Sequence, residues 1–104
     1  MAEHVVVTTT TDTEEAALGI ARGVVENRLG ACAQIHPLRS VFRWEGEVQD
    51  ETEWRVDIKT VADKVAPLIE HIESVHSYDV PEVLVTPIVA GSEAYLRWLG
   101  TETH

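Results

Sequence analysis

The chain has 104 residues, 44% hydrophobic and 25% charged, and a formal net charge of −10 from 8 basic and 18 acidic side chains. This describes one globular domain spanning residues 1–104, with a core too small to divide. The acidic balance repels phosphates, so neither nucleic acid nor an anionic membrane is an expected partner, and no stretch approaches the roughly 18 consecutive apolar residues of a membrane span.

Met1-Ala2-Glu3-His4 shows neither a basic start nor an apolar run, and Cys32 is the one cysteine. Together these features predict a cytoplasmic protein without disulfides. His4-Val5-Val6-Val7-Thr8-Thr9-Thr10 is β-branched almost throughout and predicts a central strand. Thr11 with Glu14, and Asp12 with Glu15, form overlapping capping boxes for a helix. Ala17, Ile20, Ala21, Val24 and Val25 make its apolar stripe, and Gly30 is its expected stop. The four threonines 8–11 read as strand end and cap, because the glycines of a phosphate cradle are missing.

Residues 31–35 resume as a strand, and His36-Pro37 is expected to interrupt it. Cys32, between alanines, reads as a buried and inert thiol. From Leu38 the pattern alternates, with Leu38, Ser40, Phe42 and Trp44 on one side. Residues 45–51 hold the expected turn. The return strand alternates Trp54, Val56 and Ile58 with Glu53, Arg55, Asp57 and Lys59. A second helix begins between Asp63 and Pro67, carries Val65, Leu68, Ile69 and Ile72 inward, and ends at 74–76. A loop over 77–81 leads to a strand over 82–88, and Ser92 caps a last helix, 93–99, stopped by Gly100.

The order β-α-β-β-α-β plus a terminal helix predicts an α+β, ferredoxin-like sandwich. It has a four-stranded antiparallel sheet with two helices on one face. The other face stays open, and Phe42, Trp44 and Trp54 project on the hairpin, so self-assembly is expected.

Chemistry concentrates in VHSYDVPEVLV, residues 75–85, which places His76, Tyr78, Asp79 and Glu82 close together. His71 and His76 are five apart and no H-E-x-x-H is present, so no single helix face offers a zinc pair. His76 suits a helix C-terminus, where its charged form meets the dipole, and is also a candidate ligand beside Glu82. Glu82 leads a buried-looking strand, so its carboxylate is expected either to find a partner, with Lys59 as a candidate, or to sit at the end of the sheet. No nucleophile or oxyanion site is visible, so no enzyme is predicted and no catalytic residue is assigned.

Several stretches add up in order and spacing. They are Ala31-Cys32-Ala33, Trp44-Glu45-Gly46-Glu47, Ile58-Lys59-Thr60, His76-x-Tyr78-x-x-Pro81-Glu82, Pro87-Ile88 and Tyr95-Leu96-x-Trp98-Leu99. Over residues 5–99 the chain resembles the CutA family of divalent-cation tolerance proteins. The resemblance implies a homotrimer that binds divalent metal ions, copper in the family, without catalysis, with His76 and Glu82 as the metal ligands carried over. It also places departures from copper-binding members at Thr9, where they have a cysteine, at Val75, where they have a histidine, and at Ser77, where they have a proline. Those changes remove a thiolate and an imidazole, the softer donors that favour copper. The related trimeric PII signalling proteins define the alternative: a sensor or scaffold holding a small anion or nucleotide between subunits on Arg43, Arg55 and Lys59.

Overall fold

The computed structural model describes residues 3–104. Its elements run β1 (His4–Thr11), α1 (Glu14–Glu26), β2 (Cys32–Trp44), β3 (Glu47–Val61), a 3-10 turn (Ala62–Lys64), α2 (Val65–Val75), β4 (Leu84–Pro87) and α3 (Glu93–Glu102). The strands form one antiparallel sheet in the order β2-β3-β1-β4. This is the ferredoxin-like α+β plan expected from the pattern.

The β-branched run makes β1 an inner strand, with Val7 opposite Ile58 and Thr9 opposite Val56. Opposed residues share a face of an antiparallel sheet. Val5, Val7, Val56 and Ile58 therefore face α1 and α2, and close a core with Ile20, Val24, Leu68 and Ile72. Each large aliphatic side chain buried there contributes about 1.5–3 kcal/mol. Trp54 packs against this core, so only Phe42 and Trp44 of the three hairpin aromatics are exposed.

Several local expectations shift. The cap of α1 is Thr13, whose Oγ1 accepts the Ala16 N–H at 3.1 Å. Thr11 is still strand, and its hydroxyl donates to the Thr13 carbonyl at 2.7 Å. α1 ends at Asn27, Arg28 takes a left-handed φ of 57°, and the Leu29 and Gly30 amides both reach the Val24 carbonyl. Gly30 is thus no helix stop. A Cβ there would overlap Ile58 Cγ2 and stand 2.9 Å from Val24 Cγ1.

β2 continues straight through Pro37, because it is an edge strand and tolerates a lost donor. The turn is only Glu45-Gly46, with φ of 50° and 84°. Two positive φ values are the type I′ signature, whose twist suits a hairpin. β3 consequently starts at Glu47, and the long hairpin stretches the molecule to 44 × 25 × 21 Å. β4 is shorter than expected and leaves Glu82 outside the sheet. α3 runs on through Gly100, anchored by buried Leu99 and by the Thr103 hydroxyl on the Leu99 carbonyl at 2.8 Å.

Candidate functional site

The register fixes which side chains meet on the sheet face away from α1 and α2. Leu38 opposes Glu53, Ser40 opposes Glu51 and Phe42 opposes Gln49, so Glu51 and Glu53 share that face with Phe42 and Trp44. Thr10, opposite Arg55, adds the end of β1. The segment after α2 folds over these strands and walls an open groove of about 790 Å³, lined among others by Asp12, Phe42, Trp44, Glu51, Glu53, Tyr78, Asp79 and Glu82.

His76 organises that segment. Its backbone N–H closes α2 on the Ile72 carbonyl at 2.9 Å. Its ring Nδ1 accepts the Tyr78 N–H at 3.1 Å. An accepting Nδ1 places the ring proton on Nε2, which donates to the Thr10 carbonyl at 2.8 Å. The tautomer is inferred from these partners. Both nitrogens are engaged within the chain, and the ring packs on Tyr78 with centroids 4.8 Å apart. That packing sets Tyr78 over β3, where its hydroxyl donates to Glu53 Oε2 at 2.8 Å.

Glu53 is only 7% exposed. Burial holds the Tyr78 phenol well above the usual tyrosine range, and the hydrogen bond to Glu53 and the charges of Glu53, Asp12 and Glu51 push it further the same way. Tyr78 is therefore a permanent donor at any ordinary pH. Asp12, Glu51, Asp79 and Glu82 are exposed. Among the described residues none of these carboxylates has an ion-pair partner.

Of the two ligand candidates, Glu82 lines the groove and His76 does not. Coordination by His76 requires its ring to leave Thr10 or Tyr78. Among the described residues, no three His, Cys, Asp or Glu side chains converge as a ready metal cage. Lys59 does not pair with Glu82; its Nζ stands 5.6 Å over the Tyr95 ring, so α3 reaches that end of the sheet face. Glu82 precedes β4 and is exposed, so it needs no buried partner. Cys32 is partly buried, directly opposite Lys59. The Thr9 hydroxyl is buried and has no hydrogen-bond partner among the described residues.

The cations of the alternative reading are also engaged. Arg55 pairs with Asp57 at 3.0 Å, which in turn accepts the Thr8 hydroxyl at 2.8 Å, and Arg43 reaches the Gly46 carbonyl at 3.4 Å. Sequence reading missed the Tyr78–Glu53 pair, which joins residues 25 apart, and the His76–Thr10 bond, which joins residues 66 apart. The one available signal for Glu53 was its place on the same side of β3 as Arg55 and Asp57.

Sheet, helices and groove define a ferredoxin-like protein whose open sheet face carries an acidic, aromatic-walled cleft. Comparison with known proteins narrows this class. The model of the CutA1 divalent ion tolerance protein family matches residues 5–102, and the chain belongs to that family. It is 43% identical over 101 residues to the chloroplastic protein CutA of Arabidopsis thaliana, covering 96% of this chain and 56% of that one. It is 41% identical over 99 residues to the divalent-cation tolerance protein CutA of Thermus thermophilus, covering 94% and 96% of the two chains. The solved structure of the periplasmic divalent cation tolerance protein CutA from Archaeoglobus fulgidus superposes with a TM-score of 0.95 at 32% identity, covering 97% of this chain and 99% of that one. The chain thus spans little more than half of the plant relative and nearly all of the bacterial and archaeal ones.

These names correct the cytoplasmic assignment: the plant relative is named as chloroplastic and the archaeal one as periplasmic. One partly buried cysteine and an acidic surface suit any of those compartments, so neither carries the location. Among the described residues no helix is long and apolar enough to cross a membrane.

Proposed function

We propose that the chain serves divalent-cation tolerance as a homotrimer that binds divalent metal ions reversibly, without catalysis and without an organic cofactor. The observation that carries this reading is the concentration in one groove of carboxylates that have no ion-pair partner among the described residues: Asp12, Glu51, Glu53, Asp79 and Glu82. Family membership supports the cation class. Glu82, exposed in the groove, is the proposed anchoring ligand. His76 is the proposed second ligand, available once its Nε2 releases Thr10. Oxygen donors with one imidazole suit zinc, manganese or magnesium better than copper(I), since Thr9 and Val75 supply no soft donor. Exposed Phe42, Trp44, Val41 and Val48 on the hairpin support assembly, which would cover them.

Calorimetric titration of metal-free protein with Zn(II) and Cu(II) tests the site. Glu82→Ala is expected to weaken binding about tenfold or more, the cost of one charged ligand. Equal affinity in wild type and in His76→Ala removes the imidazole from the ligand set, and equal affinity in Glu82→Ala removes the groove. Light scattering checks the assembly, with a mass of three chains as the expected result.

A further inference from the structure

β4 begins at Leu84, short of the 82–88 strand its sequence suits, and the register shows what stops it. Val6 opposes Thr86 and Thr8 opposes Leu84, so the next places set Thr9 against Val83 and Thr10 against Glu82. Facing residues of an antiparallel ladder alternate between bonded and non-bonded pairs. On this side of β1 the even residues are the bonded ones. The Ile88 N–H donates to the His4 carbonyl at 2.9 Å, whereas the Glu3 carbonyl turns the other way and takes the Ala62 N–H. The Thr10 carbonyl is therefore the next acceptor of the β1–β4 ladder, and the Glu82 N–H is the donor in register with it. His76 Nε2 holds that carbonyl instead, at 2.8 Å.

Otherwise the segment is ready for a longer strand. Pro87 opposes Val5, and Pro81 would oppose Thr11; both are non-bonded places, where a missing N–H breaks no ladder bond. Val83 already packs against the core, as buried Thr9 opposite it would require, and Glu82 is exposed. Val83 and Val85 are β-branched and favour the strand. Among the described residues the Glu82 N–H has no backbone partner. One acceptor thus has two candidate donors, a ring nitrogen and a strand amide. Thr10 is satisfied by either, so the two arrangements differ by the exchange of one hydrogen bond for another. An exchange of that kind is a discrete alternative that a ligand can bias.

We propose that β4 and His76 form a switch: β4 lengthens by two residues, the Glu82 N–H takes the Thr10 carbonyl, and the His76 ring is released. The lengthened strand holds Glu82 beside Thr10 on the groove face, because opposed residues share a face. Both ligands of the divalent-cation site are then made available in one step. That regulatory role rests on the divalent-cation reading; the strand exchange itself does not.

Amide hydrogen exchange, read by NMR on the assembled protein in chelator-treated buffer, tests the exchange without metal. His76→Ala and His76→Phe both remove the competing donor, the second with a ring kept in place. In each, the Glu82 N–H is expected to exchange about tenfold or more slowly than in wild type. The Tyr78 N–H, which loses its acceptor at His76 Nδ1, is expected to exchange faster. Simple loosening of the segment would speed both amides, so the opposite signs identify the switch. Thermal melts confirm that each variant is folded. Zinc added to wild type is expected to slow Glu82 as it binds, which carries the test if neither variant folds. An unslowed Glu82 N–H in a folded variant overturns the proposal, as does zinc bound to wild type with that amide still unprotected. Slowing in the variants with no zinc binding by wild type upholds the switch and removes the metal reading, so the two fail separately.

Discussion

Four buried threonines differ in one respect that gives opposite signs on substitution. Thr8 donates to Asp57 Oδ1 at 2.8 Å, Thr11 to the Thr13 carbonyl at 2.7 Å, and Thr60 to the Leu29 carbonyl at 2.7 Å. Thr9 is fully buried and its Oγ1 has no partner among the described residues. A buried hydroxyl without a hydrogen bond costs about 1–3 kcal/mol in protein measurements. Valine has the same branching and nearly the same volume, and suits a strand as well. Thr9→Val should therefore raise stability by about 1–2 kcal/mol, since it removes desolvated polarity and breaks nothing. Thr60→Val should lower stability by about 1–2 kcal/mol, because it strands the Leu29 carbonyl. Guanidinium unfolding at one fixed chain concentration reads both, as opposite shifts in midpoint at unchanged slope. A midpoint for Thr9→Val below that of wild type would refute the reasoning, as would shifts of the same sign in the two variants.

Three further outcomes follow from the geometry. His76→Ala removes the bridge from Thr10 to the Tyr78 amide and should cost about 1–3 kcal/mol, with faster hydrogen exchange at the Tyr78 N–H as its local signature. Gly30→Ala places a methyl against Ile58 and Val24, both fully buried, and should cost about 1–3 kcal/mol of overpacking, read by the same denaturation midpoint. In a Tyr95→Phe background the remaining phenol is Tyr78, whose folded-state pKa is raised. The stability it contributes is complete below the free phenol value of about 10 and is lost as pH rises through the higher folded value. Phenolate absorbance should thus appear only well above the ordinary range, or together with alkaline unfolding; ordinary titration in the folded protein would contradict its burial.

The architecture was legible because it rests on periodicity. The β-branched run of β1 and the alternation of β3 specify buried faces directly, and α1 and α2 carry apolar stripes. Boundaries were less legible, because they depend on neighbours. Thr11 and Asp12 offered caps as good as Thr13, but pairing with Trp54 holds Thr11 in the strand. Pro37 looked like a break because one sequence does not reveal that its strand lies at an edge. The groove was half legible. Tyr78, Asp79 and Glu82 stood out as a cluster, and they do line one cavity. The engagement of His76 was not legible, because its acceptor is a backbone carbonyl at the far end of β1 and carries no side-chain signature. Glu53 looked like one more solvated charge, and only the fold of the segment over it buries it.

The position of Pro37 bears on solubility. β2 runs thirteen residues along the outside of the sheet, next to β3 alone. Such an edge is a template on which stray strands add and fibrils start. Pro37 removes one donor in the middle of it, and Arg39 and Arg43 place charge on the stretch beyond. An incoming strand therefore meets no long uninterrupted ladder. Replacing Pro37 with valine would restore one, and the concentrated protein would lose a safeguard against aggregation that its folded state does not otherwise need.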